Sequence, residues 1–154
     1  MARRLRPVGI DFVGTAPVRL VFTRDVAAAP EAVFRALAED VSGWPEWFSA
    51  VTSARPTEGG REVRLRGGTR FEESVLVAKA PEVYAYRVDV TNAPGARAWV
   101  EEWQLTPAAG GTRIRMTFAL DGTAAFRLLW RLVRPGVGRA FRDAARALER
   151  RLAG

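Results

Sequence analysis

The order of apolar and polar positions divides the chain into strands and helices. Apolar and polar residues alternate over residues 18–26 and again in six short segments between residues 51 and 120, as in strands that bury one face. Turn-forming residues such as Gly59-Gly60 and Gly67-Gly68 separate these segments. Because the connections are short, the six segments are predicted to form an antiparallel meander.

Two other stretches repeat apolar residues every three or four positions, which is typical of helices. The first begins at Pro30 and ends near Asp40, and the second begins after residue 122. Pro135 predicts a kink or a break in the second helix near Arg134. Its apolar stripe consists of Phe126, Leu129, Trp130, Val133, Val137, Phe141, Ala145, Leu148 and Leu152. We predict an α+β fold in which a curved antiparallel seven-stranded sheet wraps around this long C-terminal helix and buries its stripe, with two short helices after the first strand.

The connector between the first helix and the second strand is unusually aromatic. Trp44, Trp47 and Phe48 lie within five residues around Pro45, which cannot continue the preceding helix. Two interpretations remain open for these rings. They plug one end of the core, or they line the mouth of a pocket for an apolar ligand.

Length and composition narrow the class of protein. The 154 residues indicate one domain, which we assign to residues 17–153, after an N-terminal tail (residues 1–16) whose first six residues are expected to be loose. No apolar run reaches the ~18 residues that cross a bilayer, and no signal peptide is recognisable, so we expect a cytoplasmic protein. The absence of cysteine and histidine excludes Ser-His-acid triads, cysteine nucleophiles and the common zinc sites. We predict neither a cofactor nor a metal.

The net charge of +7 is concentrated at the two ends of the chain. Residues 123–154 hold eight arginines against Asp143 and Glu149, and a basic helix of this kind can bind nucleic acid or an anionic membrane. The same helix must also bury its apolar stripe, so a solvated basic face is the favoured interpretation. We therefore predict no nucleic-acid partner and treat membrane contact as the less favoured alternative. Both a monomer and a homodimer remain open.

Three polar residues fall on strand faces that are otherwise apolar. Glu73 and Glu101 are candidate general acids or bases, because burial raises the pKa of a carboxyl group. Tyr86 is a candidate for orienting a ligand carbonyl. Each has a structural alternative: packing for the tyrosine, an ion pair for the glutamates, or a register shift that brings Glu102 inside instead of Glu101. The arginines considered for the ion pair are Arg70, Arg97 and Arg115.

The remaining inward or connector positions are predicted to be cavity wall or core. The residues that we predict to contact a ligand are Trp44, Trp47, Phe71, Tyr84, Trp99, Trp103, Met116, Phe126 and Trp130.

The order of the elements and several motifs resemble the START-like (SRPBCC) superfamily over about residues 17–153. The motifs are Ala29-Pro30-Glu31-Ala32-Val33-Phe34, Trp44-Pro45-Glu46-Trp47-Phe48-Ser49, Glu73-Ser74-Val75, Ala80-Pro81-Glu82-Val83-Tyr84-Ala85-Tyr86-Arg87-Val88 and Gly110-Gly111-Thr112-Arg113-Ile114. Within the superfamily the chain is most similar to the polyketide cyclase/dehydrase branch, which includes bacterial aromatase/cyclases. The resemblance implies a helix-grip fold with a hydrophobic cavity between the sheet and the C-terminal helix.

The resemblance also implies ligands and roles. Trp44 and Trp103 match tryptophans of this branch, whereas its cavity tyrosine and arginine fall near Val51 and Ser74. The implied ligand is a hydrophobic or aromatic small molecule. One implied function is a polyketide cyclase or dehydratase that uses carboxylate acid/base chemistry. The alternative is a non-catalytic lipid or quinone carrier or chaperone that docks on membranes through its basic C-terminal helix.

Overall fold

The computed structural model describes residues 1–154 and contains eight strands, four α-helices and one 3-10 helix. The strands are β1 (Arg3–Arg4), β2 (Val18–Val26), β3 (Val51–Thr57), β4 (Gly60–Leu65), β5 (Arg70–Lys79), β6 (Val83–Thr91), β7 (Ala96–Ala108) and β8 (Gly111–Gly122). The helices are α1 (Phe12–Thr15), α2 (Pro30–Ala38), the 3-10 helix (Val41–Glu46), α3 (Ala124–Leu132) and α4 (Arg134–Ala153). None of them combines the length and apolar character of a membrane-crossing helix.

The seven long strands form one antiparallel sheet in the order β2-β8-β7-β6-β5-β4-β3. Strands β3 to β8 follow one another as a meander, and β2 pairs with β8 at one edge. The chain crosses from β2 to β3, at the opposite edge, through α2 and the 3-10 helix. This arrangement confirms the predicted α+β helix-grip fold with its seven strands and its two short helices after the first of them.

Helix α2 forms where the sequence predicts it and closes one end of the sheet. Pro30 occupies its first turn, and Val33, Phe34 and Leu37 are buried on one side against β6, β7 and β8. The connector then winds into the 3-10 helix, which contains Pro45. The indole Nε1 of Trp44 donates to the backbone oxygen of Leu37 at 3.0 Å, which fixes the connector to α2.

The first residues are not a loose tail, and that expectation is wrong. Strand β1 pairs antiparallel with Val90 and Thr91 of β6, and Leu5 is buried at 5% exposure. Strand β7 pairs with β6 only as far as Arg87, so the end of β6 has free backbone groups that β1 satisfies. A two-residue strand is too short to show an alternating pattern in the sequence.

The C-terminal helix breaks where Pro135 predicts it, since α3 ends at Leu132 and α4 begins at Arg134. Helix α4 buries Phe141 and Leu148 at no more than 1% exposure. The prediction that the sheet buries the whole stripe is wrong for α3, where Leu129 is 55% exposed. Phe126 is the one residue of α3 that is buried.

Candidate functional site

A cavity of about 300 Å³ lies between the concave face of the sheet and the first turns of α4. Fourteen of its 18 lining residues are hydrophobic, which suits an apolar ligand. The apolar wall includes Trp44 and Phe48 from the connector, Val63, Phe71, Trp99, Met116 and Phe118 from the sheet, and Val137 and Ala140 from α4. Val133 at the α3–α4 junction also lines the cavity and is 38% exposed, which places this junction at the edge of the cavity.

Part of the wall is charged. Arg61 of β4 lies opposite Glu73 of β5 in the sheet, and its Nε donates to Oε1 of Glu73. The two side chains are only 3% and 2% exposed. The guanidinium carbon lies 4.2 Å from the ring centre of Trp44 and 4.0 Å from that of Tyr86, where a cation is attracted to the ring face. Nη1 of Arg61 is buried without a hydrogen-bond partner.

A second polar group of the wall is the carboxyl of Glu101. It accepts a hydrogen bond from the hydroxyl of Tyr86 at 2.5 Å and another from Nε1 of Trp99 at 2.8 Å. Nε1 of Trp103 in turn donates to the Tyr86 hydroxyl oxygen at 3.2 Å. Tyr86 and Trp99 therefore fix the orientation of Glu101 in the cavity wall, and Trp103 in turn holds the Tyr86 hydroxyl.

Burial shifts the proton affinities of these groups. It raises the pKa of Glu73 to about 7, although the positive charge of Arg61 opposes the shift. Burial also raises the pKa of Glu101, against the effect of the hydrogen bonds from Tyr86 and Trp99. The pKa of the Tyr86 phenol lies well above its usual value, first because of burial and then because of Glu101. Carboxyl groups with raised pKa values can exchange protons with a bound molecule near neutral pH.

The structure brings most of the predicted polar and some of the predicted aromatic residues together. Glu73, Tyr86 and Glu101 all line the cavity, and the half-buried Glu102 lies on the other face of β7. The predicted ligand-contacting residues that line the cavity are Trp44, Phe71, Trp99 and Met116. Their roles toward a ligand stay predictions.

Five of the predicted contact residues pack behind the cavity wall instead. Trp47 and Trp103 lie 4.6 and 5.7 Å from the ring centre of Trp44, and Tyr84 packs edge-on against Phe34 of α2. Phe126 and Trp130 of α3 lie 6.0 and 5.2 Å from the ring centre of Trp99. Alternation identifies the inward face of a strand, but it does not separate cavity wall from the core beyond it.

Arg61 is the charged residue of the cavity wall that sequence reasoning misses. The sequence suggests, as examples of ion-pair partners for the inward glutamates, Arg70, Arg97 and Arg115. The structure instead pairs Glu73 with Arg61. Arg61 shares the inward parity of Val63 and Leu65 on β4, so a strand begun at Gly60 would have placed it inside. The alternating pattern of this strand is recognisable only from Val63, because Gly59-Gly60 before Arg61 resembles a turn.

The comparison with known protein families agrees with the fold. Residues 17–153 match the family described as "Polyketide cyclase / dehydrase and lipid transport". The chain belongs to this family. An uncharacterised protein of Mycobacterium tuberculosis is 30% identical over 150 residues, covering 93% of this chain and 89% of that protein. A protein of Mycobacterium bovis, also uncharacterised, matches equally well.

Solved structures confirm the START-like fold of this polyketide cyclase/dehydrase family member. A START superfamily protein of Mycobacterium smegmatis superposes with a TM-score of 0.68 at 14% identity, covering 88% of this chain and 97% of that one. A protein of Rhodobacter sphaeroides superposes with a TM-score of 0.69 at 22% identity, covering 99% and 98% of the two chains. Identities this low show a shared fold and leave the ligand to be argued from the cavity.

Proposed function

We propose that this protein binds a hydrophobic or aromatic small molecule in the cavity between the sheet and α4. The observation that carries the proposal is a cavity of about 300 Å³ with 14 hydrophobic residues among the 18 that line it. A space of this size is at the lower end of the range for small-molecule sites. Family membership supports the same class of ligand.

Filling the cavity from the helix side tests the proposal. Ala140 of α4 lines the cavity, whereas Ala147 of the same helix does not and is equally half-buried. We expect Ala140→Trp to weaken binding of the neutral fluorescent probe N-phenyl-1-naphthylamine at least about tenfold, because the indole occupies the ligand volume. Ala147→Trp is the matched control and should leave affinity unchanged. Equal affinities in the two variants would contradict the proposed site.

A catalytic role is the second candidate, and the raised pKa values of two wall carboxyls favour it. In a cyclase or dehydratase, Glu73 or Glu101 would move a proton at a carbon beside a ligand carbonyl. Tyr86 would orient that carbonyl by turning its single hydroxyl hydrogen from Glu101 to the ligand. The Glu73→Gln, Glu101→Gln double variant should then lose turnover of a poly-β-ketone substrate while it still binds the neutral probe. Unchanged turnover would remove this mechanism.

A lipid or quinone carrier is the third candidate, and the surface of α3 favours it. Leu128, Leu129 and Leu132 are 56%, 55% and 68% exposed, next to the cavity edge at Val133. Residues 123–142 carry five arginines and no acidic residue. Exposed leucines among arginines match the apolar and charged layers of an anionic membrane surface.

Vesicle co-sedimentation separates the carrier from the other two functions. We expect binding to phosphatidylglycerol-containing vesicles that weakens with salt and is absent from pure phosphatidylcholine. Leu128→Ser with Leu132→Ser should abolish it, whereas Ile10→Ser, which alters an exposed apolar residue of another region, should not. No sedimentation with anionic vesicles at low salt would eliminate the carrier that docks through α3.

A further inference from the structure

Arg61 has a hydrogen-bonding capacity that the protein does not use. Its Nε donates to Glu73, and its guanidinium lies against the rings of Trp44 and Tyr86. Nη1 has no partner and almost no exposed surface, although the residue lines the cavity, so an acceptor in the cavity reaches Nη1 only when the neighbouring side chains move slightly. A buried donor without an acceptor is costly, and native proteins seldom retain one without a reason.

We propose that Arg61 anchors the polar end of the ligand, and that this end is an uncharged carbonyl oxygen such as that of a ketone, a quinone or an ester. The inference rests on the proposed function, because it assumes that the apolar part of the same molecule fills the cavity. A guanidinium only donates hydrogen bonds and a carbonyl oxygen only accepts them. The pairing therefore satisfies Nη1 without leaving a ligand hydrogen unpaired.

The charges around Arg61 select against the other polar groups. Glu73 and Glu101 already place two carboxyl groups on the wall against one guanidinium. A ligand carboxylate would add a third acid in a desolvated space, where like charges repel strongly. An ammonium group only donates hydrogen bonds, so it cannot accept one from Nη1. A pure hydrocarbon would fit the apolar wall but leave Nη1 unpaired.

The orientation of Arg61 is fixed before any ligand arrives. Glu73 holds one edge of the guanidinium, and the Tyr86 ring is held through its hydroxyl by Glu101 and Trp103. An anchor that is already oriented loses little side-chain entropy on binding, so its hydrogen bond contributes more to affinity. Selectivity for the carbonyl is therefore expected to be measurable.

Three probes of nearly the same shape test the inference by titration calorimetry at pH 8. They are 2-ethylnaphthalene, 2-acetonaphthone and 2-naphthoate, which present an alkyl group, a ketone and a carboxylate at the same position. We expect the wild-type protein to bind the ketone about tenfold more tightly than the hydrocarbon, as for a hydrogen bond to a charged donor. The carboxylate should bind more weakly than the ketone.

The variants assign that preference to Arg61. Arg61→Met with Glu73→Gln removes both charges together, so no buried charge is left unpaired, and this variant should bind ketone and hydrocarbon equally. Arg64→Met, an exposed position of the same strand, should keep the tenfold preference. The infrared carbonyl stretch of bound 2-acetonaphthone tests the same hydrogen bond in the wild-type protein, without any variant. Hydrogen bonding to Arg61 should lower the frequency of this stretch relative to the ketone in a hydrocarbon solvent.

The possible failures are distinguishable. Hydrocarbon binding with no gain for the ketone, or an unshifted carbonyl stretch, would overturn the anchor and leave the apolar site in place. If 2-naphthoate bound most tightly of the three probes, the inference that the polar end of the ligand is uncharged would be overturned. Binding of none of the three probes would overturn the proposed function, and the anchor with it.

Discussion

The two sides of the cavity are built from different chemistry. The side formed by α4 is aliphatic and includes Val137 and Ala140, whereas the sheet side carries Arg61 and Glu73 next to Tyr86 and Glu101. Substitutions on the helix side can therefore change the volume available to a ligand with little loss of stability. The sheet side holds buried charges, so changes there are expected to affect stability, pH dependence and ligand chemistry together.

The largest effect is expected from breaking the buried ion pair. Arg61→Met leaves the buried carboxyl group of Glu73 without its partner, so Glu73 must either take up a proton or stay ionised in an apolar wall, and loss of one partner of a buried pair costs about 3–5 kcal/mol. Denaturant unfolding would measure it as a lower free energy of unfolding. Arg64→Met changes an exposed arginine of the same strand and should stay within about 0.5 kcal/mol of the wild type. Similar losses in both variants would contradict a special environment for Arg61.

The next effect is a pH dependence that belongs to Glu73. Burial raises the pKa of this carboxyl from 4.5 to about 7 in the folded state, so the folded protein holds the proton more tightly than the unfolded chain. Its contribution to stability is fully present below about pH 4.5 and is lost as the pH rises to about 7. Over that range the loss is at most about 3 kcal/mol.

Glu73→Gln should remove this pH dependence. Unfolding curves collected from pH 4.5 to pH 8 should show wild-type stability falling relative to the variant across the interval. Parallel stabilities for the two proteins over the whole range would place the pKa of Glu73 at its ordinary value.

A smaller effect is expected from two adjacent glutamates of β7 that lie on opposite faces. Glu101→Gln keeps one oxygen acceptor and loses the other, so either Tyr86 or Trp99 has an unpaired buried donor, at about 1–3 kcal/mol. The half-buried Glu102 is the control, and Glu102→Gln should change stability by less than about 0.5 kcal/mol. Thermal unfolding would show the difference. A larger loss of stability in Glu102→Gln than in Glu101→Gln would mean that Glu102, not Glu101, points into the cavity.

The smallest effect on stability is expected on the helix side. Val137→Ala removes two methyl groups from a position that already borders a cavity, so fewer packing contacts are lost and the cost should stay below about 1.5 kcal/mol. The enlarged cavity should shift preference toward bulkier probes, measured as the affinity ratio of 2-acetonaphthone to 9-acetylanthracene. A loss of stability comparable to that of Arg61→Met would remove the distinction between the two sides.

The alternating pattern predicted the sheet and most of the polar wall. It placed Glu73, Tyr86 and Glu101 on inward faces because each shares the parity of apolar neighbours on its strand. It does not identify Arg61, since Gly59 and Gly60 resemble a turn and the alternation is recognisable only from Val63, three residues after the start of β4. Periodicity also could not show that α3 leaves Leu129 exposed, because it identifies the apolar side of a helix but not whether the sheet covers that side.

Strand β1 has a practical consequence for handling the protein. It covers the backbone of β6 where β7 has separated from it, and Arg3 reaches across to the backbone oxygens of Ala93 and Ala96. A preparation shortened by five residues would expose those β6 groups as an open edge, to which a strand of another molecule can add. Aggregation during concentration is the expected behaviour of such a preparation, and affinity tags are better attached after Gly154.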